Sequence, residues 1–249
     1  MKKFLLSAAM VSMACAANAQ NSSNAKHDFV DLGLTSGTLW ATCNIGAEKP
    51  EDGGQYFAWG ETVGYGKDLS DERPFNWGDY KWVVEGKSSK LFATKYTCAD
   101  DEVGGCWYKD GKYVGSTVDG KEYQSLVKLL PEDDAAIANW GDDWCMPTKE
   151  QFMELYSSAN TTSEWVTENG VMGCKFTSKK NGNTLFLPAG GFRHFRNINV
   201  ENNGCYWSCM LDKNNTHRAY ALSVYDGGTS CSASDRCDGR FIRPVRAKK

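Results

Sequence analysis

One well-capped helix stands in a chain otherwise cut into short extended runs. In Pro147-Thr148-Lys149-Glu150-Gln151-Phe152-Met153-Glu154-Leu155-Tyr156, Thr148 is a natural N-cap, and Gln151 three residues later completes a capping box. Phe152, Leu155 and Tyr156 share one face of that helix. A second helix is predicted from about 131 to 139, with Asp133 and Asp134 in its first turn, where carboxylates complement the positive end of the helix dipole. With 25 glycines and 6 prolines in 249 residues, the rest is expected to be short strands joined by tight turns.

The strand signals are local and repeated. Phe29-Val30-Asp31-Leu32-Gly33-Leu34 alternates apolar and polar, Thr35-Ser36-Gly37 turns, and Thr38-Leu39-Trp40-Ala41-Thr42 returns, which predicts a hairpin. A second hairpin is predicted from 173–177 and 184–188 around Asn181-Gly182. Residues 205–209, 218–224 and 240–245 read as three later strands, and 56–60 as a short aromatic run. Residues 62–120 read as loops and short strands. The two Asn-Trp-Gly-Asp tetrapeptides, at 76–79 and 139–142, do not amount to a repeat architecture. Together these elements predict an α+β fold, antiparallel strands beside one or two helices.

The N-terminus reads as an export signal over 1–19. Lys2 and Lys3 precede the apolar stretch from Phe4 to Ala16, and Ala17-Asn18-Ala19 is an A-x-A cleavage site leaving Gln20 first. Lipidation at Cys15, after Ser12-Met13-Ala14, is the alternative, on a loosened lipobox. Residues 20–27 form an Asn/Ser-rich leader expected to be flexible, and one domain is expected over 28–246. Cleavage takes one of ten cysteines, so the remaining count is odd. In an exported chain disulfides are expected, with at least one thiol left over. Cys98/Cys106, Cys205/Cys209 and Cys231/Cys237 are the local candidate pairs. The formal charge of −3 argues against a nucleic-acid partner, and no apolar run of membrane-spanning length follows the signal.

Seven blocks occur in order along the chain: Val30-Asp31-Leu32-Gly33-Leu34, Trp40-Ala41-Thr42-Cys43-Asn44-Ile45-Gly46-Ala47, Tyr56-Phe57-Ala58-Trp59-Gly60-Glu61, Glu132-Asp133-Asp134-Ala135-Ala136, Trp144-Cys145-Met146-Pro147-Thr148, Tyr206-Trp207-Ser208 and Arg243-Pro244-Val245. This pattern resembles the major paralogous domain first named in Fibrobacter succinogenes and abundant in exported proteins of Bacteroides-type bacteria. The stretch 144–152 is also similar to a helix of formylglycine-generating enzymes, with Cys145 where that family has Arg. Those enzymes and the variable proteins of diversity-generating retroelements share a C-type-lectin-like fold, so the resemblance implies that fold here.

Little in the sequence marks an active site. The three histidines, His27, His194 and His217, read as surface residues, and no P-loop, C-x-x-C, H-E-x-x-H or G-x-S-x-G motif is present. The resemblance to formylglycine-generating enzymes raises a thiol oxidoreductase, through Cys231/Cys237 or Cys205/Cys209. Only Arg236 beside Cys237 suggests an activated thiol. No cofactor is expected. Calcium is the one metal the acidic pairs Asp133/Asp134, Asp142/Asp143 and Asp100/Asp101/Glu102 could hold.

The C-terminal segment 192–240 is the most suggestive. Tyr206, Trp207, Arg218, Tyr220, Tyr225, Asp226, Asp235 and Arg236 lie there amid Asn, Ser and Gly. Aromatic and polar residues on loops of a rigid scaffold suit an adaptable binding surface. Trp207 also reads as a strand core residue. The expected function is an exported, non-enzymatic module that binds a glycan or a surface protein. A structural component of a surface assembly is the remaining alternative. The intact mass of the protein exported from a native-type host should start at Gln20; a mass carrying lipid on Cys15 overturns that expectation.

Overall fold

The structure, a computed structural model, describes residues 27–66, 73–93, 95–96, 108–109, 112–113, 117–118, 121–122, 126–199 and 202–247. The expected signal 1–19 and residues 20–26 of the leader lie outside these, as do Cys98, Cys106, Asp100, Asp101 and Glu102.

The described residues open with β1 (Phe29–Asp31) and β2 (Thr38–Ala41). The two-residue strands β3 (Tyr108–Lys109), β4 (Lys112–Tyr113), β5 (Thr117–Val118) and β6 (Lys121–Glu122) form two small hairpins. The helices α1 (Ala135–Trp140) and α2 (Lys149–Tyr156) follow. Next come β7 (Thr161–Glu168), β8 (Val171–Ser178), β9 (Thr184–Pro188), β10 (Phe192–His194) and β11 (Asn197–Asn199). The last strands are β12 (Asn203–Leu211), β13 (Arg218–Tyr225), β14 (Gly228–Asp235) and β15 (Val245–Ala247). The larger sheets run β1-β2-β15, β7-β8-β9 and β12-β13-β14, every pair antiparallel. The α+β expectation therefore holds at the level of class.

Several local expectations hold for the stated reasons. Thr148 accepts from the Gln151 N–H, and Gln151 Oε1 accepts from the Thr148 N–H, closing the capping box. Gly182 takes φ +76° in the β8–β9 turn, a conformation an L side chain resists. Other elements differ. The helix expected over 131–139 is a 3-10 turn, Pro131–Asp133, followed by α1. Asp134 is the cap between them: its carboxylate accepts from the N–H groups of Ala136 (2.8 Å) and Met146 (2.9 Å), so it stands outside the helix. The strand expected over 240–245 is a chain of single bridges, Arg240 to Phe57 and Phe241 to Tyr206, ahead of β15. β7 and β14 match no strand expected from the sequence. In β14, Gly-Thr-Ser-Cys-Ser-Ala-Ser-Asp carries almost no strand propensity, yet all eight residues pair with β13.

The central sheet divides two apolar cores. Tyr206, Leu222, Val224 and Phe241 pack with Trp40, Phe152, Leu155 and Phe176 on one side. Trp207, Ala219, Ala221 and Ile242 pack with Trp59, Tyr96, Ala135, Ala136 and Trp144 on the other. Neighbouring strand residues point to opposite faces, so Tyr206 and Trp207 enter different cores. Burial of β12 on both faces explains its largely apolar run from Cys205 to Leu211.

The loops are tied down by side-chain donors. Trp59 Nε1 donates to the Ser208 carbonyl and Trp207 Nε1 to that of Phe57, each at 2.8 Å, a crossed pair joining 57–59 to β12. The hydroxyls of Tyr56, Tyr80 and Tyr206 donate at 2.6 Å to the carbonyls of Gly190, Trp59 and Pro188. Arg243 donates to Asn44 Oδ1 (2.7 Å) and to the carbonyls of Ala41 (3.1 Å) and Thr42 (2.8 Å). Arg236 reaches the Tyr80 hydroxyl (3.0 Å) and the carbonyls of Lys95 (2.8 Å), Tyr96 (3.1 Å) and Thr216 (2.8 Å). Replacing Arg236 by Lys removes that fork and strands buried acceptors, so urea denaturation should show a loss of about 3 kcal/mol. Arg218→Ala should stay within about 0.5 kcal/mol. Equal effects for the two variants would refute this role for Arg236.

Candidate functional site: an aromatic hairpin on a buried carboxylate

The structure redistributes the residues that the sequence groups together. Tyr206, Trp207 and Arg236 are wholly buried and serve the loop bonds above, so none of the three can meet a ligand at the surface. Arg218 and Asp235 face each other across β13 and β14, Nε to Oδ1 3.3 Å, in an exposed pair. Tyr220 is half-buried, its hydroxyl 3.3 Å from Asp212 Oδ1 and its ring 3.7 Å beneath the Lys149 ammonium. Tyr225 and Asp226 are exposed at the turn between β13 and β14. Arg218 and Tyr225 are opposite ends of one strand, roughly 23 Å apart. The predicted set is therefore not one site. Only Tyr225 and Asp226 remain beside an exposed loop cluster.

That cluster is the β10–β11 hairpin, Phe192-Arg193-His194-Phe195-Arg196-Asn197-Ile198-Asn199. Backbone bonds hold it on both sides. The Phe195 N–H donates to the Phe75 carbonyl (2.8 Å), and the Phe75 N–H to that of Phe195 (2.9 Å). Arg193 and Gly239 exchange a second such pair, at 2.7 and 2.9 Å. Gly239 is required there, because a Cβ would lie 2.7 Å from the Phe75 ring. So braced, Phe195 keeps φ +52° and stays 52% exposed. A bulky residue in the left-handed region is strained, and it persists because the neighbouring bonds over-determine it.

Beside that ring, His194 Nδ1 lies 2.8 Å from Asp238 Oδ1, and Arg240 Nη2 lies 3.4 Å from Oδ2. Burial pushes the Asp238 carboxyl above its ordinary range, against the pull of Arg240 and His194. Arg240 is itself sandwiched by Phe192 (4.6 Å) and Trp207 (4.9 Å). The result is a rigid base under His194, Phe195 and Arg196, whose side chains face solvent. Tyr225 pairs with Asn203, whose carbonyl accepts from Gly190 and Gly191 just before the hairpin. The Tyr225–Asp226 turn therefore sits at the end of the sheet from which the hairpin springs. Sequence reasoning left His194 as an isolated surface histidine. The available signal was the run of aromatic and basic residues over 192–196.

The other expectations resolve in part. His194 is exposed, but His217 is buried, its ring edge-on to Trp77 at 6.3 Å. Asp133 binds Lys95 Nζ (2.6 Å) and the Tyr96 hydroxyl (2.5 Å), and Asp134 caps α1. Among the described residues no group of three His, Cys, Asp or Glu side chains could hold a metal ion. No helix among them is long and apolar enough to cross a membrane. Cys205, Cys209, Cys231 and Cys237 are free thiols, so neither local pair is bridged. Cys205 and Cys209 lie four residues apart within β12, about 13 Å, beyond the reach of a disulfide. Comparison with protein-family models, curated proteins and solved structures finds no match.

Burial governs the thiols. It pushes Cys145 and Cys231 up to about 11, and Cys174 and Cys209 up to about 12. It raises Cys237 as well, and Arg236 only partly opposes this. An unfolded thiol ionises near ~8.5. The stability these neutral thiols contribute is therefore complete below that value and lost as the pH climbs through the folded values. The urea midpoint should fall steadily from pH 8.5 to 11. A flat profile would show that the thiols are not buried in solution.

Proposed function

We propose that this protein is an exported, non-enzymatic binding module on a C-type-lectin-like scaffold. Its ligand, a glycan or a surface protein, is held by the β10–β11 hairpin together with Tyr225 and Asp226. The observation that carries the reading is Phe195, a half-exposed ring locked in a strained conformation by two backbone bonds to Phe75. A large apolar ring presented rigidly costs little entropy on binding, and His194, Arg196 and Asp226 supply polar contacts around it. The scaffold reading rests on the sequence resemblance and agrees with two short helices, antiparallel hairpins and first and last described strands that both pair with β2.

Thiol oxidoreduction is supported less. A catalytic thiol needs a depressed pKa and access, whereas burial raises Cys209, Cys231 and Cys237. Screened against a glycan array and immobilised bacterial and host surface proteins, the mature chain should show a ligand whose affinity falls at least about tenfold in Phe195→Ala/Tyr225→Ala. Arg218→Ala should bind as the parent does. Undiminished binding by the double variant would falsify the site.

A further inference from the structure

A second aromatic platform lies elsewhere in the fold, where the end of α1 meets His27 and Asp28. Trp140, the last residue of α1, lines a cavity of about 330 Å³ with His27, Asp28, Thr42, Cys43 and Glu48. The indole is held in place. Trp144 meets it edge-on at 5.2 Å, and the guanidinium of the buried Arg246 lies 5.5 Å from the Trp144 ring. Asn139 Nδ2 ties the end of the helix to the Thr62 carbonyl at 3.0 Å. A flat ring already occupies the platform: the His27 imidazole stacks on Trp140 with centroids 3.7 Å apart and planes 11° from parallel.

We propose that this cavity is a sugar subsite, separate from the hairpin, in which the Trp140 face takes a neutral or amino-substituted pyranose and His27 covers that face until a sugar displaces it. A pyranose presents a C–H face that suits an indole at van der Waals distance, as the imidazole does. Asp28 and Glu48 are exposed at the rim and can accept hydrogen bonds from hydroxyl or ammonium groups. Among the described residues the cavity is lined by two carboxylates and by neither lysine nor arginine, so a sugar acid would meet like charge. This goes beyond the hairpin reading, since the two sites share no residue.

The test is a titration of the mature protein with chitotriose, the corresponding glucosamine trimer and trigalacturonate, followed by the tryptophan indole N–H resonances. The resonance lost in Trp140→Phe identifies the reporter. Chitotriose or the glucosamine trimer should shift it, and trigalacturonate should not. His27→Ala should tighten that binding about threefold, and Glu48→Gln should weaken it. Both substitutions are at the cavity edge and spare the core. Phe195→Ala/Tyr225→Ala should leave this titration unchanged, which separates failure here from failure of the hairpin site. An unmoved Trp140 resonance with all three sugars, equal binding of trigalacturonate, or weaker binding by His27→Ala overturns the proposal.

Discussion

A fold with this little regular structure must satisfy buried loop carbonyls by means other than helix and sheet ladders. Here large side chains do it. Indoles of Trp59 and Trp207, hydroxyls of Tyr56, Tyr80 and Tyr206, and the guanidinium groups of Arg236 and Arg243 all donate to main-chain or side-chain oxygens in the interior. A buried carbonyl without a donor costs about as much as a lost hydrogen bond. The same ring that fills the core therefore also orders a loop. This is why so many tryptophans and tyrosines, and even arginines, are found inside. Arg236 shows it most clearly, joining residues near 80, 95 and 216 through one planar fork.

The exposed hairpin inherits its rigidity from this interior. Arg240 spans the two: its guanidinium lies against Trp207 in the core and against Phe192 at the base of the hairpin, and it reaches Asp238. Asp238 in turn positions His194. The Phe75 and Gly239 backbones clamp the two sides. Side chains on such a loop are oriented in advance, which would lower the entropy lost on any association. Electrostatics follows the same logic, since burial rather than charge pairing dominates the shifts at Asp238, Cys209 and Cys237.

Elements whose signals are local were legible in the sequence. The Thr148/Gln151 box, the Asn181-Gly182 turn and the alternation at 29–34 depend on neighbours a few residues apart; the structure contains the first two, and the third as a strand that stops at Asp31. β14 was not legible, because its strand state comes from pairing with β13 and not from its own small side chains. The division of 131–139 turned on Met146, twelve residues after Asp134, which claims that carboxylate for a cap. The candidate site was legible only in part. Tyr225 and Asp226 are exposed as their turn-like setting suggested, but Arg236 looked like a loop arginine and is a core donor.

By itself, then, the sequence determined the class of the fold, the capped helix, the main hairpins and the abundance of aromatic and basic residues toward the C-terminus. Only the tertiary structure decided which of those residues face solvent. Exposure is not a property of a side chain and its near neighbours. Tyr206 and Trp207 are adjacent and enter two different cores because β12 is buried on both faces, whereas Phe195 stands in solvent because Phe75, 120 positions away, fixes its backbone.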